Sequence, residues 1–477
     1  MTDRKWWTLG VVCAATFMLL LDVTIVVVAL PDIRTDLHAG LSDVQWVTDA
    51  YALTLASLLL TSGALADRYG RKRLFLGGLV VFTLGALACA LASSPVALIV
   101  SRAAQGVGGA VLFSTALALL AATFHGRQRG VAFGVWGAVT GLATALGPVL
   151  GGVITTGFDW RGVFWVNLPI GVVATIVAAR YVAESRAPAS HRPDLAGFGT
   201  LTLSLVALVY GLIRASESGW GDRVVVTCLA VAGVLLAAFV LVERAVAHPM
   251  LDLRLLRIPT FVGGLVAAFA MNGSLFAMLL YVTLWLQSTL GYTALQTGVR
   301  LLLMSGLMMV TAAVSGRISA RVPARWLIAP GLVLVGAGLL LMGRVSASSD
   351  WTHLVPGLVL GGIGGGLVNP PLASTAVGVV HHHHAGMASG ASSTLRQIGL
   401  AVGIAAYGSI FSAALRDHAR AGLHAAYAAG LNELFVVSGL VAVVGGLLSL
   451  ALIRQQDFVA PATPGPSPEP EPEPATV

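Results

Sequence analysis

The chain has 477 residues, 57% of them hydrophobic and only 10% charged, with a net charge of +7 and a mean hydropathy of +0.87. Soluble domains carry roughly 25% charged residues, so a chain of this length cannot cover a water-facing surface and needs the bilayer as a second, apolar solvent. The basic excess lies in short loops between apolar runs, which excludes a phosphate-binding face and makes it topology information instead.

Glycine is abundant, at 56 residues; it weakens soluble helices but serves where membrane helices approach closely. The three cysteines, Cys13, Cys89 and Cys228, are far apart within apolar stretches and show no disulfide framework or zinc spacing. Asp3-Arg4-Lys5 precedes an apolar run that continues past twenty residues with no small-residue cleavage pattern before Asp22. It therefore reads as an uncleaved first span rather than a signal peptide.

About 20 apolar residues cross the hydrocarbon core. Fourteen segments qualify: 7–30, 44–66, 74–93, 96–120, 131–156, 163–182, 195–214, 224–244, 260–287, 298–318, 326–344, 353–379, 391–414 and 432–453. With the N-terminus inside, 18 loop Lys and Arg residues fall on the inner side and 8 on the outer. The positive-inside rule then puts both termini in the cytoplasm. Trp6, Trp7, Trp46, Trp160, Trp220, Trp285, Trp326 and Trp351 fall near span ends, as an aromatic belt requires. The Pro/Glu-rich tail, 456–477, is expected to be disordered.

Ionisable groups within membrane helices cost several kcal/mol and are functional candidates by default. They are Asp22 in the first segment, Asp49 in the second, Arg102 in the fourth and Arg396 in the thirteenth. At 1.5 Å per residue, Asp22, Asp49 and Arg102 lie about 12, 8 and 9 Å below the outer ends of their helices. Opposite charges at matching depth can pair. Asp22 and Asp49 are expected to be the proton-linked carboxylates, with Arg102 tuning their affinity, since burial and a neighbouring guanidinium act on a carboxyl in opposite senses. The plainer alternatives are a fixed Asp22–Arg102 pair locking helices together and a wetted Asp49 at the interface. Segments nine to thirteen carry no acidic residue, so proton coupling falls to the first half. Arg396 reads as a snorkelling or capping residue. Phe113, Trp136, Asn272, Phe276, Tyr281, Trp285 and Asn369 are tentative cavity-wall residues, suited to lipophilic cations through apolar burial and cation–π attraction. His381–His384 sits in a predicted cytoplasmic loop. Four adjacent histidines without a nearby carboxylate or cysteine read as solvated loop, not a metal site.

The loop after the second segment reads Gly63-Ala-Leu-Ala-Asp67-Arg68-Tyr-Gly70-Arg71-Lys-Arg73. It resembles the cytoplasmic loop signature of the major facilitator superfamily. Arg102-Ala-Ala-Gln105-Gly106-Val-Gly108 looks like that family's buried-arginine motif, and Gly137, Gly141, Gly147-Pro148 and Gly151-Gly152 are similar to its antiporter motif. Leu21-Asp22-Val-Thr24-Ile25 and Trp160-Arg161-Gly-Val-Phe164-Trp165-Val-Asn167 resemble the fourteen-helix drug–proton antiporter group of the EmrB/QacA type. The helix 1 pattern usually has Asn where Val27 stands, and the second-half loop repeat Gly316–Arg321 is degenerate.

The resemblance implies an all-α membrane protein with the major facilitator fold. Residues 1–185 and 251–455 would form six-helix bundles, and 186–250 two inserted helices. Gly63, Asp67, Arg68, Gly70, Arg71, Gly147, Pro148, Gly151 and Gly152 would take part in gating. It also implies proton-coupled efflux of lipophilic or cationic drugs by alternating access, without cofactor, enzymatic activity or nucleic-acid partner, in a monomer of the plasma membrane. A proton-linked metabolite or ion transporter on the same fold is the alternative. Helix 12 repeats small residues at Gly357, Gly361 and Gly365, read as packing.

Overall fold

The computed structural model describes residues 2–124, 126–186, 194–247, 249–319, 321–380, 385–418, 420 and 422–458. The tail beyond 458 and His381–His384 lie outside them. Every regular element described is helical, as it must be where no water is present to satisfy backbone groups. In chain order the helices are α1 (Thr2–Asp36), α2 (Leu41–Tyr69), α3 (Arg71–Ala90), α4 (Pro95–Thr123), α5 (Gly126–Gly157), α6 (Gly162–Trp165), α7 (Asn167–Tyr181), α8 (Leu195–Ser218) and α9 (Arg223–Ala245). There follow α10 (Pro259–Met271), α11 (Ala277–Leu284), α12 (Ala294–Ile318), α13 (Arg325–Met342), α14 (Val355–Gly378), α15 (Ala385–Asp417) and α16 (Leu423–Leu452). Local chemistry sets several starts. Ser94 accepts from the Ala97 amide, with Pro95 in the first turn of α4, and Thr293 and Gln296 form a reciprocal capping box on α12.

Among the described residues twelve helices are long and apolar enough to cross a membrane, or up to thirteen with one bent pair. Fourteen were expected from the sequence. The difference falls on α2 and α5, both of which run through residues whose side chains are outside the described set. The sixth expected segment is α6 with α7, Gly162–Tyr181, and the ninth is α10 with α11, Pro259–Thr289. That ninth span contains two π-helical turns, Asn272–Phe276 and Trp285–Thr289. Such turns are rare and frequent at functional positions. The Tyr407 hydroxyl of α15 donates to the Gly273 carbonyl within the first of them at 2.6 Å.

The helices α1 to α7 pack mainly on one another, through α2 on α4, α3 on α4, α1 on α5 and α3 on α7. The helices α10 to α16 do likewise, with α13 lying against α14 and α16, and α12 against α14. The seams between these two groups are α5 with α12 and α2 with α15, while α8 pairs with α9 and touches α2 and α15. Hydrogen bonds across the seams gather toward the end that carries Trp160 and Thr293: Gln45 to Tyr281, Gln287 to the Val28 carbonyl, and the Leu295 amide to Thr156.

The glycines of α5 explain how two seams can be this close. A Cβ on Gly147 would fall on the Thr24 side chain, and one on Gly151 would come within 2.9 Å of the Ile25 carbonyl, both in α1. Gly152 faces Ala294 and Leu295 of α12 across a gap that admits no side chain, and Gly298 of α12 rests against the Pro148 carbonyl. Pro148 has no N–H to offer the carbonyl one turn earlier. The helix bends by 44° between Val135–Ala143 and Leu146–Gly157. Of the α14 glycines, Gly357 meets the Gly338 carbonyl of α13, so it serves helix approach. Overpacking such a contact costs about 1–3 kcal/mol. Gly298→Val should therefore hold α12 off α5, and a cysteine placed at Thr156 should react faster with an impermeant thiol reagent in that background. Equal labelling rates in the two backgrounds would show that the contact does not close this end.

Candidate functional site

Asp22 sits on the face of α1 that meets α4, and its carboxyl is fully buried. Arg102 of α4, 1% exposed, donates from Nη1 to Asp22 Oδ2 at 2.6 Å. One turn along α4, Gln105 reaches the same place: its Nε2 donates to Asp22 Oδ1 at 2.9 Å, and its Oε1 accepts from Arg102 Nη1 at 2.7 Å. Asn167 of α7 gives Asp22 Oδ1 a further donor at 3.1 Å. Arg102 Nε donates to the Val47 carbonyl of α2 at 3.2 Å, and the guanidinium lies 4.3 Å from the Tyr51 ring centroid. Both Asp22 oxygens thus have partners, and one ion pair with its hydrogen bonds fastens α1, α2, α4 and α7. A buried charge needs this arrangement, because desolvation is offset only when counter-charge and hydrogen bonds are complete.

Asp49, on the same helix as Val47 and Tyr51, has the opposite surroundings. It is fully buried, and neither carboxyl oxygen has a hydrogen-bond partner among the described residues. The sequence reading had Arg102 tune both carboxylates; the structure pairs it with Asp22, and among the described residues no ion pair reaches Asp49. The wetted position considered from sequence does not match this burial. One turn before Asp49, Gln45 Nε2 donates to the Tyr281 hydroxyl at 3.0 Å and to the Ile404 carbonyl at 3.1 Å, and Tyr281 itself donates to Ile404 at 2.6 Å. Asp49 therefore stands one turn from a hydrogen-bonded clasp that joins α2 to α11 and α15.

The tentative wall residues are dispersed. Tyr281 and Trp285 are fully packed, and Tyr281 stacks edgewise on Tyr407 and tilts against Phe411. Phe276 borders a core cluster that runs through both groups, and Phe113 one confined to the first. Trp136 donates to Thr16 at 2.9 Å, and Asn272 donates to the Ala268 carbonyl at 3.1 Å. Asn369 of α14 accepts from Arg396 at 3.2 Å, so Arg396 has an intramolecular partner in place of the snorkelling role read from sequence. A concavity of about 480 Å³ lies elsewhere, at the ends of α1 and α5 beside the start of α12, lined by Asp32, Asp36, Asp159, Trp160 and Thr293 among others. No group of three or more His, Cys, Asp or Glu that could hold a metal occurs among the described residues.

The basic loop is tied down by a residue the sequence reading did not single out. Gly70 has φ of 116°, a conformation that favours glycine, and a Cβ there would lie 2.7 Å from the Glu184 carboxyl. Glu184 accepts from the Lys72 amide at 3.0 Å, the Arg71 amide donates to the Ser185 carbonyl at 3.0 Å, and Lys72 Nζ donates to the Ala179 carbonyl at 2.7 Å. The loop thereby grips the end of α7. The Arg68 guanidinium lies 5.5 Å from the Tyr69 ring centroid, Gly63 has open space around it, and the Asp67 side chain lies outside the described ones. Gln105 and Asn167 were quoted in the sequence motifs without a role. The signal for Gln105 is a carboxamide one turn from Arg102; Asn167 has no such neighbour in the sequence.

The description "Major Facilitator Superfamily" belongs to the family model that matches residues 12–404. The chain is 37% identical over 398 residues to the multidrug resistance protein Stp of Mycobacterium tuberculosis, covering 83% of this chain and 74% of that protein. It is 39% identical over 410 residues to the cephamycin export protein CmcT of Amycolatopsis lactamdurans, covering 85% and 84%. Among solved structures, the human organic anion transporter MFSD10 (TETRAN) superposes with a TM-score of 0.62 at 16% identity over 93% of this chain and 99% of that one, which speaks to the fold alone. A family match over most of the chain, an all-helical multi-pass architecture and the same fold in a solved transporter make this chain a member of the Major Facilitator Superfamily.

Proposed function

We propose that this protein exports lipophilic or cationic small molecules, antibiotics among them, across a bacterial plasma membrane in exchange for protons. The direction of transport is supported by relatives whose names describe resistance and export. The observation that supports the proton coupling is the contrast between the two buried carboxyls: Asp22 held by Arg102, Gln105 and Asn167, Asp49 without a hydrogen-bond partner among the described residues, beside the inter-half clasp. With both termini cytoplasmic, the basic loop faces inward and the clasped end faces outward. An ionised Asp49 would then be a lone charge in an apolar interior, a cost of several kcal/mol. A proton arriving from outside removes that charge, and the outer seal closes over a neutral side chain. Proton release to the cytoplasm restores the carboxylate, which attracts the next cationic cargo. Cargo and proton thus compete for one charge, and the membrane proton gradient supplies the energy. Asp22 and Arg102 hold the helices of the first bundle in register around this step.

Asp49→Asn should leave a folded, membrane-inserted protein that no longer couples. In inverted vesicles loaded with a pH-sensitive dye, adding a lipophilic cation that dissipates the gradient with the parent protein should leave it intact with the variant. Dissipation at the parental rate would remove Asp49 from the coupling step. Arg102→Met should act differently, because it strands Asp22. Breaking a buried pair costs about 3–5 kcal/mol, so thermal unfolding in detergent should fall sharply, and the double variant Arg102→Met with Asp22→Leu should recover much of the loss. Failure to recover would mean that Arg102 stabilises through contacts other than Asp22.

A further inference from the structure

Between the two bundles, a second pair of buried carboxyls lies apart from Asp22 and Asp49. Asp194 precedes α8 and is 7% exposed, and Glu243, in the last turn of α9, is 4% exposed. Each has one oxygen satisfied by the backbone: Asp194 Oδ1 accepts from the Gly197 amide at 2.8 Å, and Glu243 Oε2 accepts from the Leu251 amide at 3.2 Å. The remaining oxygens, Asp194 Oδ2 and Glu243 Oε1, have no hydrogen-bond partner among the described residues. Both orphans approach the same point over Gly197. A Cβ placed there would lie 2.5 Å from Asp194 Oδ2 and 2.7 Å from Glu243 Oε1, so the two oxygens are no farther apart than those distances laid end to end.

Among the described residues no cation answers them. Arg244 of α9 is exposed. Arg254 and Arg257, on the turn Leu253–Arg257, and Arg68 of α2 form no ion pair with either carboxyl among the described residues. Arg396 of α15 is engaged with Asn369. The one further acid on that turn, Asp252, caps it through the Arg254 amide at 2.9 Å. Two ionised carboxylates here would repel in a dry environment, with two lone acceptors and no donor. One proton changes both conditions: it neutralises one carboxyl and turns it into the O–H donor that the other lacks.

The geometry points to a proton-binding site in which Asp194 and Glu243 share a single proton, holding the ends of α8 and α9 together. The segment that Glu243 grips, Met250–Asp252, is also the tie between halves. Thr61 of α2 contacts the Met250 sulfur at 3.9 Å, and the Asp252 amide donates to the Met387 sulfur of α15 at 3.1 Å. Occupancy of this site therefore bears on how firmly the inserted helices grip both bundles. A small side chain at 197 is required by the same convergence.

Glu243→Gln supplies a permanent N–H donor in place of the proton, and Asp194→Asn keeps the helix cap while doing the same from the other side. A proton held by the folded state stabilises it at low pH, and that stabilisation is lost as pH rises. The melting temperature of the full-length parent in detergent should therefore drop by roughly 1–2 °C more than that of either variant between acid and alkaline pH. Infrared difference spectra at neutral pH should contain a protonated-carboxyl band, additional to that of Asp49, that both variants lack. The site is refuted if both variants retain the parental pH slope and the band. If either variant fails to fold, the other decides the question by the same two readouts, and loss of proton-coupled transport through Asp49 alone would leave both readouts unchanged.

Discussion

A charge inside an apolar solvent must be answered at once, and the Asp22–Arg102 pair is where this chain meets that demand. Its strength comes from completeness. Arg102 spends its donors on Asp22, Gln105 and the Val47 carbonyl, with Tyr51 beneath its plane, while Asp22 accepts from three side chains. Because the donors come from α4 and α7 and the carbonyl from α2, the pair holds only when those helices keep their places. Helix register in the first group and the electrostatics of its interior are thus one condition.

The second condition is close backbone approach. Lipid offers no hydrophobic force between helices, so contact area and small residues decide which surfaces meet. Here the two faces of α5 divide the work: Gly147 and Gly151 admit α1, while Gly152 admits α12. The bend of 44° lies beside Pro148, so the helix that bridges the two bundles is also bent. The seam it makes with α12 lies at the same end as the Gln45–Tyr281–Ile404 clasp. Closure at that end, burial of Asp49 and contact between bundles are consequences of one arrangement.

The structure also redistributes roles among residues of similar type. Among the described residues, of four buried acids Asp22 is paired, Asp49 has no hydrogen-bond partner, and Asp194 and Glu243 face each other. Glu184, more exposed, secures the basic loop through backbone amides and leaves Arg73 only a long 3.8 Å contact. A carboxyl is defined by what surrounds it, and the surroundings come from other helices.

Much of the architecture was legible in the sequence. Apolar runs about twenty residues long permit nothing but membrane helices, since an unsatisfied backbone is intolerable in lipid. The ordered motifs around Gly70, Arg102, Gly147-Pro148 and Asn167 carried the family, and matching depth along α1 and α4 brought Asp22 and Arg102 together correctly. The rest depended on relations between distant segments. Periodicity cannot register a π-helical turn at Asn272–Phe276, nor say that Tyr281 closes a seam in place of lining a cavity. It cannot show that Asp49 has no hydrogen-bond partner among the described residues, or that Asp194 and Glu243, 49 positions apart, meet over a glycine. Burial and partnership are properties of packed helices, and a sequence states only which residues are available to be packed.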